Sequence, residues 1–260
     1  MNDNSPNETA FAKLPPQRFE LPLRARIPTV TYLLLGITIF FYVLQQISPI
    51  FFGYAPLGLD WLEYFGARIN SAILAGQFWR LLTPLLLHGS ILHIGFNMYA
   101  LLSFGIVLEP LMGHWRFLLL YLLAGLSGNV FSFLFSDGYS IGASTAIFGL
   151  VIAEGVFLYR NRQLLGEQAR QAIGNIIFIV AVNLFLGLAP EIDNWGHLGG
   201  LVGGMAFAWF AAPKYRLVSA MISPFGAFVR VGDEIGIWHV CFGAALVLIF
   251  SFLLLLVKFL

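Results

Sequence analysis

Seven apolar runs, each close to the length that crosses a bilayer, constrain this chain more than any other feature. A spanning helix takes about 20 mostly apolar residues. Runs of that kind lie at roughly Ile27–Ile47, Leu92–Leu111, Trp115–Phe135, Ala143–Tyr159, Ile173–Leu188, Gly196–Ala212 and Gly236–Val257. Inside hydrocarbon each segment must satisfy its own backbone N–H and C=O groups, which makes these runs helices. Several are short and glycine-rich, so neighbouring helices must cover them. Composition agrees. The chain is 59% hydrophobic and 10% charged, too few charges to clothe a water-facing surface, where about 25% is usual. The expected fold class is therefore all-α, a polytopic membrane protein.

Lysine and arginine set the expected orientation. Seven spans place Lys13, Arg18, Arg24, Arg26, Arg116, Arg160, Arg162, Arg170, Lys214, Arg216 and Arg230 on one side, and only Arg68, Arg80 and Lys258 on the other. This predicts a cytoplasmic N-terminus and a C-terminus outside, in the cell (inner) membrane. Residues 1–26 read as a short cytoplasmic tail rather than a signal peptide. Residues 27–212 form a six-span core, 213–235 a cytoplasmic linker, and 236–260 the seventh span. The connection 48–91 is too long for a hairpin and rich in aromatics, among them Trp61, Tyr64, Phe65 and Trp79. It is expected to lie partly in the outer leaflet as short helices. A net charge of +1 gives no case for nucleic-acid binding, and the single Cys241 excludes an internal disulfide and a cysteine-rich metal site.

Polar residues inside a span are costly and usually functional or paired within the bundle. The candidates are His93 and Asn97 in span two, Ser144 and Glu154 in span four, Asn183 in span five and His197 in span six. Spans two, four and six run in the same direction, from outside to inside. His93, Ser144 and His197 each stand near the start of one of them, so they share a depth within the outer third of the bilayer. Asn97 sits one turn below His93 on the same face. Gly196, Gly200 and Gly204 repeat the G-x-x-x-G spacing that lets helix backbones touch. Thr145, Gly149 and Ala153 form a second small-residue stripe at spacing four. If the stripes meet, Ser144 comes within hydrogen-bond reach of His197.

Such a pair carries nucleophilic chemistry. The imidazole takes the hydroxyl proton during attack and later protonates the leaving amine. Asn97, His93 and the N–H groups at the start of span four would hold the oxyanion. Each member alone has an ordinary explanation: a serine caps a helix, a histidine packs, a glycine stripe marks a contact. The constellation carries the weight. Glu191 and Asp193 precede His197, but neither is obviously placed to orient it, so a dyad is the simpler expectation. His88 and His93 lack the H-E-x-x-H pattern of zinc hydrolysis. Glu154 is expected to pair within the bundle, and His114 and His239 are peripheral.

The stretches Trp79–Asn97 (W-R-L-L-T-P-L-L-L-H-G-S-I-L-H-I-G-F-N), Gly142–Leu150 (G-A-S-T-A-I-F-G-L) and Gly196–Gly204 (G-H-L-G-G-L-V-G-G) resemble the rhomboid intramembrane serine proteases. The resemblance covers residues 27–212 and implies a six-helix catalytic core; the extra C-terminal helix resembles a six-plus-one arrangement. It implies Ser144 as nucleophile, His197 as general base, and His93, Asn97 and the Ser144 amide around the oxyanion. Phe148 matches an aromatic that packs on the catalytic histidine. Gly142 falls in the serine motif, and Gly200 matches the small residue between helices four and six. Trp79, Arg80, Glu109 and Arg116 match structural positions. Thr145 departs from the family's G-x-S-G; a helix tolerates it, its hydroxyl can bond back to the backbone, and it is expected to flank the oxyanion site. No metal or organic cofactor is implied. The implied substrates are single-span membrane proteins cut near the outer end of their helix. The alternative is a non-catalytic rhomboid-fold protein that binds transmembrane segments. A channel or transporter would instead place polar residues through the full bilayer depth.

Overall fold

The structure is a computed structural model and describes residues 18–19, 27–189, 192–223 and 226–260. Most of residues 1–26 and Glu191 lie outside the described residues. Seven long helices fall where the apolar runs lie: α1 (Thr29–Phe52), α4 (Ile91–Met112), α5 (His114–Phe135), α6 (Ser144–Arg160), α7 (Arg162–Leu186), α8 (Asn194–Ala211) and α9 (Ile237–Phe259). Short helices α2 (Trp61–Gly66) and α3 (Asn70–Leu74) stand in the first connection, with three 3-10 turns. The protein is a multi-pass integral membrane protein of the all-α class. Among the described residues, α1, α4, α5, α7 and α9 are long and apolar enough to cross a membrane. The other two, α6 and α8, are shorter and lie at the centre, where protein replaces lipid. The fifth span was expected from Ile173; α7 begins eleven residues earlier, at Arg162. Gly166, at φ +58° and ψ −134°, breaks the span into a short first turn and a continuous helix from Glu167, which the good helix formers Gln, Ala and Arg carry into the apolar part.

The core is built on glycines at two spacings. In α8, Gly196, Gly200 and Gly204 face α6, while Gly199 and Gly203 face α5. A Cβ on Gly200 would collide with the carbonyl oxygen of Thr145, and one on Gly204 with the Cα of Gly149. The Ser127 hydroxyl donates to the Gly199 carbonyl at 2.9 Å, adding an interhelical hydrogen bond. At the far end, α1 is anchored on α4: the N–H groups of Val30 and Thr31 and the Thr31 hydroxyl donate to the buried Glu109 carboxylate at 2.8, 2.7 and 2.7 Å. These are the orphan donors of a helix start. On the other flank, α9 packs on α8 and α5.

The first connection is a folded unit. Arg80 donates to the carbonyls of Ala67 and Tyr64, both at 2.7 Å, and Trp79 Nε1 to that of Phe65 at 3.0 Å. Arg68, fully buried, donates to the carbonyls of Ser136 and Gly138 between α5 and α6. Its backbone also exchanges two hydrogen bonds with Ser140, at 3.0 and 3.1 Å. The 213–235 stretch, expected as a linker, instead forms an antiparallel hairpin of β2 (Tyr215–Ser223) and β3 (Gly226–Asp233). A short β1 (Arg18–Phe19) pairs in parallel with β3. Val218, Ile222, Val229 and Val231 favour strands, yet so brief a segment between helices carried no clear period.

Candidate active site

Ser144 is the first residue of α6, and His197 lies in the first turn of α8. The close glycine contact of the two helices brings them together: His197 Nε2 stands 2.9 Å from Ser144 Oγ. Phe148, one turn below Ser144, stacks on the His197 ring with centroids 4.2 Å apart and planes at 17°. The imidazole is thus held between a hydroxyl and an aromatic face, and His197 is buried. Its Nδ1 is buried without a hydrogen-bond partner. Asp193 is engaged elsewhere: one carboxylate oxygen accepts the Gly196 N–H at 2.9 Å, capping α8, and the other meets the Ser132 hydroxyl. Among the described residues the arrangement is a pair, with no carboxylate on His197 Nδ1.

His93, near the start of α4, lies against Gly142. A Cβ at Gly142 would sit 2.7 Å from His93 Nε2 and 3.8 Å from Ser144 Oγ, and the residue has φ +125°. Space and backbone both demand glycine here. The structure therefore gathers Ser144, His197, Phe148, Gly142 and His93. Asn97 is set differently: its amide donates to the His93 carbonyl at 2.9 Å, one turn back along α4. Thr145 also departs from expectation. Its side chain packs between Gly128 of α5 and Gly196 of α8, so it fills a helix contact instead of flanking the oxyanion site. The Thr145 hydroxyl is buried and has no hydrogen-bond partner among the described residues, so the bond back to the helix that its chemistry allows is not made. Among the described residues Glu154, expected to pair in the bundle, has no hydrogen bond or ion pair. Among the described residues no three His, Cys, Asp or Glu side chains stand close enough to hold a metal ion.

The family profile for the rhomboid domain matches residues 75–214, more than half of the chain, and takes in all three gathered motifs. The chain belongs to the rhomboid family. Rhomboid protease GluP of Bacillus subtilis (strain 168) is 43% identical over 206 residues, 75% of this chain and 38% of that protein. RHOMBOID-like protein 2 of Arabidopsis thaliana is 40% identical over 158 residues, 59% of this chain and 50% of that one. The same plant's RHOMBOID-like protein 9, chloroplastic, is 34% identical over 171 residues, 65% of this chain and 39% of the relative. The chain thus spans half or less of the length of these relatives.

In this rhomboid chain, several residues beside the site were not singled out from the sequence. His88 Nε2 accepts the Ala143 N–H at 3.4 Å, immediately before Ser144, and its ring meets His93 edge-on at 5.0 Å. Burial, and then the facing His93, push the His88 imidazole down to about 3, so it stays neutral and free to accept. The Gly142 N–H donates to the Pro84 carbonyl at 2.9 Å. The sequence signal was present in the five-residue separation of His88 and His93, which had been weighed only as a zinc pattern.

Proposed function

We propose that this chain is an intramembrane serine endopeptidase, with Ser144 as nucleophile and His197 as general base. One observation carries the proposal: Ser144 Oγ lies 2.9 Å from His197 Nε2 while Phe148 stacks on the ring. Ser144 Oγ attacks the carbonyl carbon of the scissile bond as its proton passes to His197 Nε2. The carbonyl oxygen becomes an oxyanion facing the Ser144 N–H, a free donor at a helix start, and the His93 ring. His197 then gives the proton to the leaving amine, and the C–N bond breaks. A water molecule attacks the acyl-serine, His197 accepts its proton, and Ser144 is restored. Asn97 joins the oxyanion site when its amide leaves the His93 carbonyl. With no carboxylate on Nδ1 among the described residues, the ring is oriented by Phe148 and by packing.

The domain plan that goes with this reading has a catalytic core over 27–212, a linker region over 213–235, and a seventh spanning helix over 236–260. With the N-terminus cytoplasmic, the site opens to the outside of a cell membrane, where water reaches it. The substrate class is single-span membrane proteins. Their peptide bonds are hidden in helical hydrogen bonds, so the cut segment must unwind first, and Gly or Pro near it lowers that cost.

The deciding experiment is labelling of the detergent-purified protein with a fluorophosphonate. Wild type is expected to label, while Ser144→Ala and His197→Ala do not. A folded wild type that stays unlabelled removes the catalytic reading and brings forward a rhomboid that only binds transmembrane segments.

A further inference from the structure

The chemistry needs the backbone from Gly142 to Ser144 held still, and what holds it begins almost a hundred residues earlier. Gln45, on the last two turns of α1, is 1% exposed. Its side-chain oxygen accepts the His88 N–H at 3.0 Å. Its amide nitrogen donates to Asp60 at 3.0 Å and to Glu63 at 3.4 Å. Asp60 is itself fixed, accepting the N–H groups of Leu62 and Glu63 at 2.8 and 3.0 Å at the start of α2. From His88 the contacts run on to the Ala143 N–H and to the face of His93, which lies against Gly142.

We propose that Gln45 is a positioning residue for the Ser144 site, acting through His88 on the Ala143–Ser144 turn. The proposal rests on the reading of Ser144 as the nucleophile and adds to it the element that sets the nucleophile's backbone.

The chemistry of the position asks for a carboxamide. The side chain must accept from a backbone N–H at one end and donate to carboxylates at the other, and among uncharged side chains of this length only glutamine does both. A glutamate would keep the acceptor for His88 but place a third carboxyl beside Asp60 and Glu63. An alanine would leave the buried His88 N–H without its partner, and His88 would be free to shift. His88 in turn is buried and neutral, and on the Nδ1 side its ring is held only locally, by the backbone of Leu86, with no well-formed hydrogen bond at Nδ1 among the described residues. Its ring position therefore depends on where its backbone is held. A cavity of about 380 Å³, lined in part by Gln45, Asp60, Glu63 and His88, lies beside these residues. Room of that size gives a released His88 somewhere to go, so the tie at Gln45 matters more than in close packing.

The test is the rate of fluorophosphonate labelling, resolved into the maximal rate and the half-saturating probe concentration, with the melting midpoint of each variant measured alongside. Gln45→Ala is expected to lower the maximal rate about tenfold or more with little change in half-saturation, the result of a misplaced reacting group. Gln45→Glu alone is expected to behave like Gln45→Ala. Gln45→Glu combined with Asp60→Asn exchanges donor and acceptor across the shorter contact, leaves an amide oxygen at position 60 to cap α2, and is expected to return the rate to within about threefold of wild type. If Gln45→Ala does not fold, the comparison of Gln45→Glu with the double variant decides by itself. A wild type that labels while every Gln45 variant keeps its rate overturns this proposal and leaves the nucleophile reading standing. So does a double variant that regains its melting midpoint but not its rate. A wild type that does not label overturns the nucleophile reading, and this one with it.

Discussion

The helices on either side of α6 share one solvent and differ in how they are held. Half of α8 is buried, and its glycines meet backbone atoms of α6 and the wall of α5. By contrast α7 buries only Ala169 and Ile176 and packs chiefly against α6. Both are apolar over most of their length, so hydrophobicity does not explain the contrast. In a membrane, lipid tails solvate a leucine as well as another helix does, and close approach of backbones decides association. The five glycines of α8 in contact with its neighbours permit that approach; Gly174 of α7 faces open space.

The sharpest way to break this comparison is to give both helices the same side chain. Gly200→Leu drives a side chain into the Thr145 carbonyl and is expected to cost about 4 kcal/mol or abolish folding, read as loss of a cooperative melt in detergent. Gly174→Leu is expected to stay within about 0.5 kcal/mol of wild type in the same measurement. Equal effects would end the distinction between the two helices.

A smaller probe lies on the α8 side alone. Thr145→Gly empties the notch beside Gly128 and Gly196. An expected loss of about 1–2 kcal/mol in stability, from the cavity and from glycine in a helix, follows. Were Thr145 packed elsewhere, the change would cost only the helix-propensity part. Phe148→Ala acts on the ring and leaves the helix contact. Removing the stack on His197 is expected to lower the labelling rate about tenfold, with a stability change smaller than that of Gly200→Leu.

A pH-dependent effect belongs to the first connection, away from both helices. Burial, and then the Asp60 charge, push the Glu63 carboxyl up to about 7. The folded protein then holds a proton that the unfolded chain has released, so this group's stability is full below its ordinary 4.5 and lost as pH rises through about 7. Glu63→Gln is therefore expected to raise the melting midpoint relative to wild type at pH about 8 and to leave the difference near zero at pH about 4. A difference independent of pH would show that Glu63 is not the buried group.

The parts legible in the sequence are those with a period or a chemical cost. Seven helices follow from apolar length, and the approach of Ser144 to His197 follows from glycines four apart and polar residues at one depth. Most of what was hidden has neither property. Asp60, Glu63 and His88 read alone as loop groups and meet across separations that no local pattern records; Gln45, inside the first span, did carry the cost of a polar group in a membrane and was passed over because its partners lie in the following loop. The direction of Thr145 depends on Gly128 of another helix. The hairpin at Tyr215–Asp233 is set by pairing between strands, and the early start of α7 includes a turn set off by the break at Gly166.

The parallel pairing of Arg18–Phe19 with Phe228–Val229 sets a calendar for assembly. About 210 residues separate the partners, and a ribosome adding ~5–20 residues per second needs about 10–40 s to supply the second after the first. The six helices of the core are made within that interval. The strand at Arg18 therefore waits for its register, and closure of the three-stranded sheet marks the moment when the core has been synthesised from end to end.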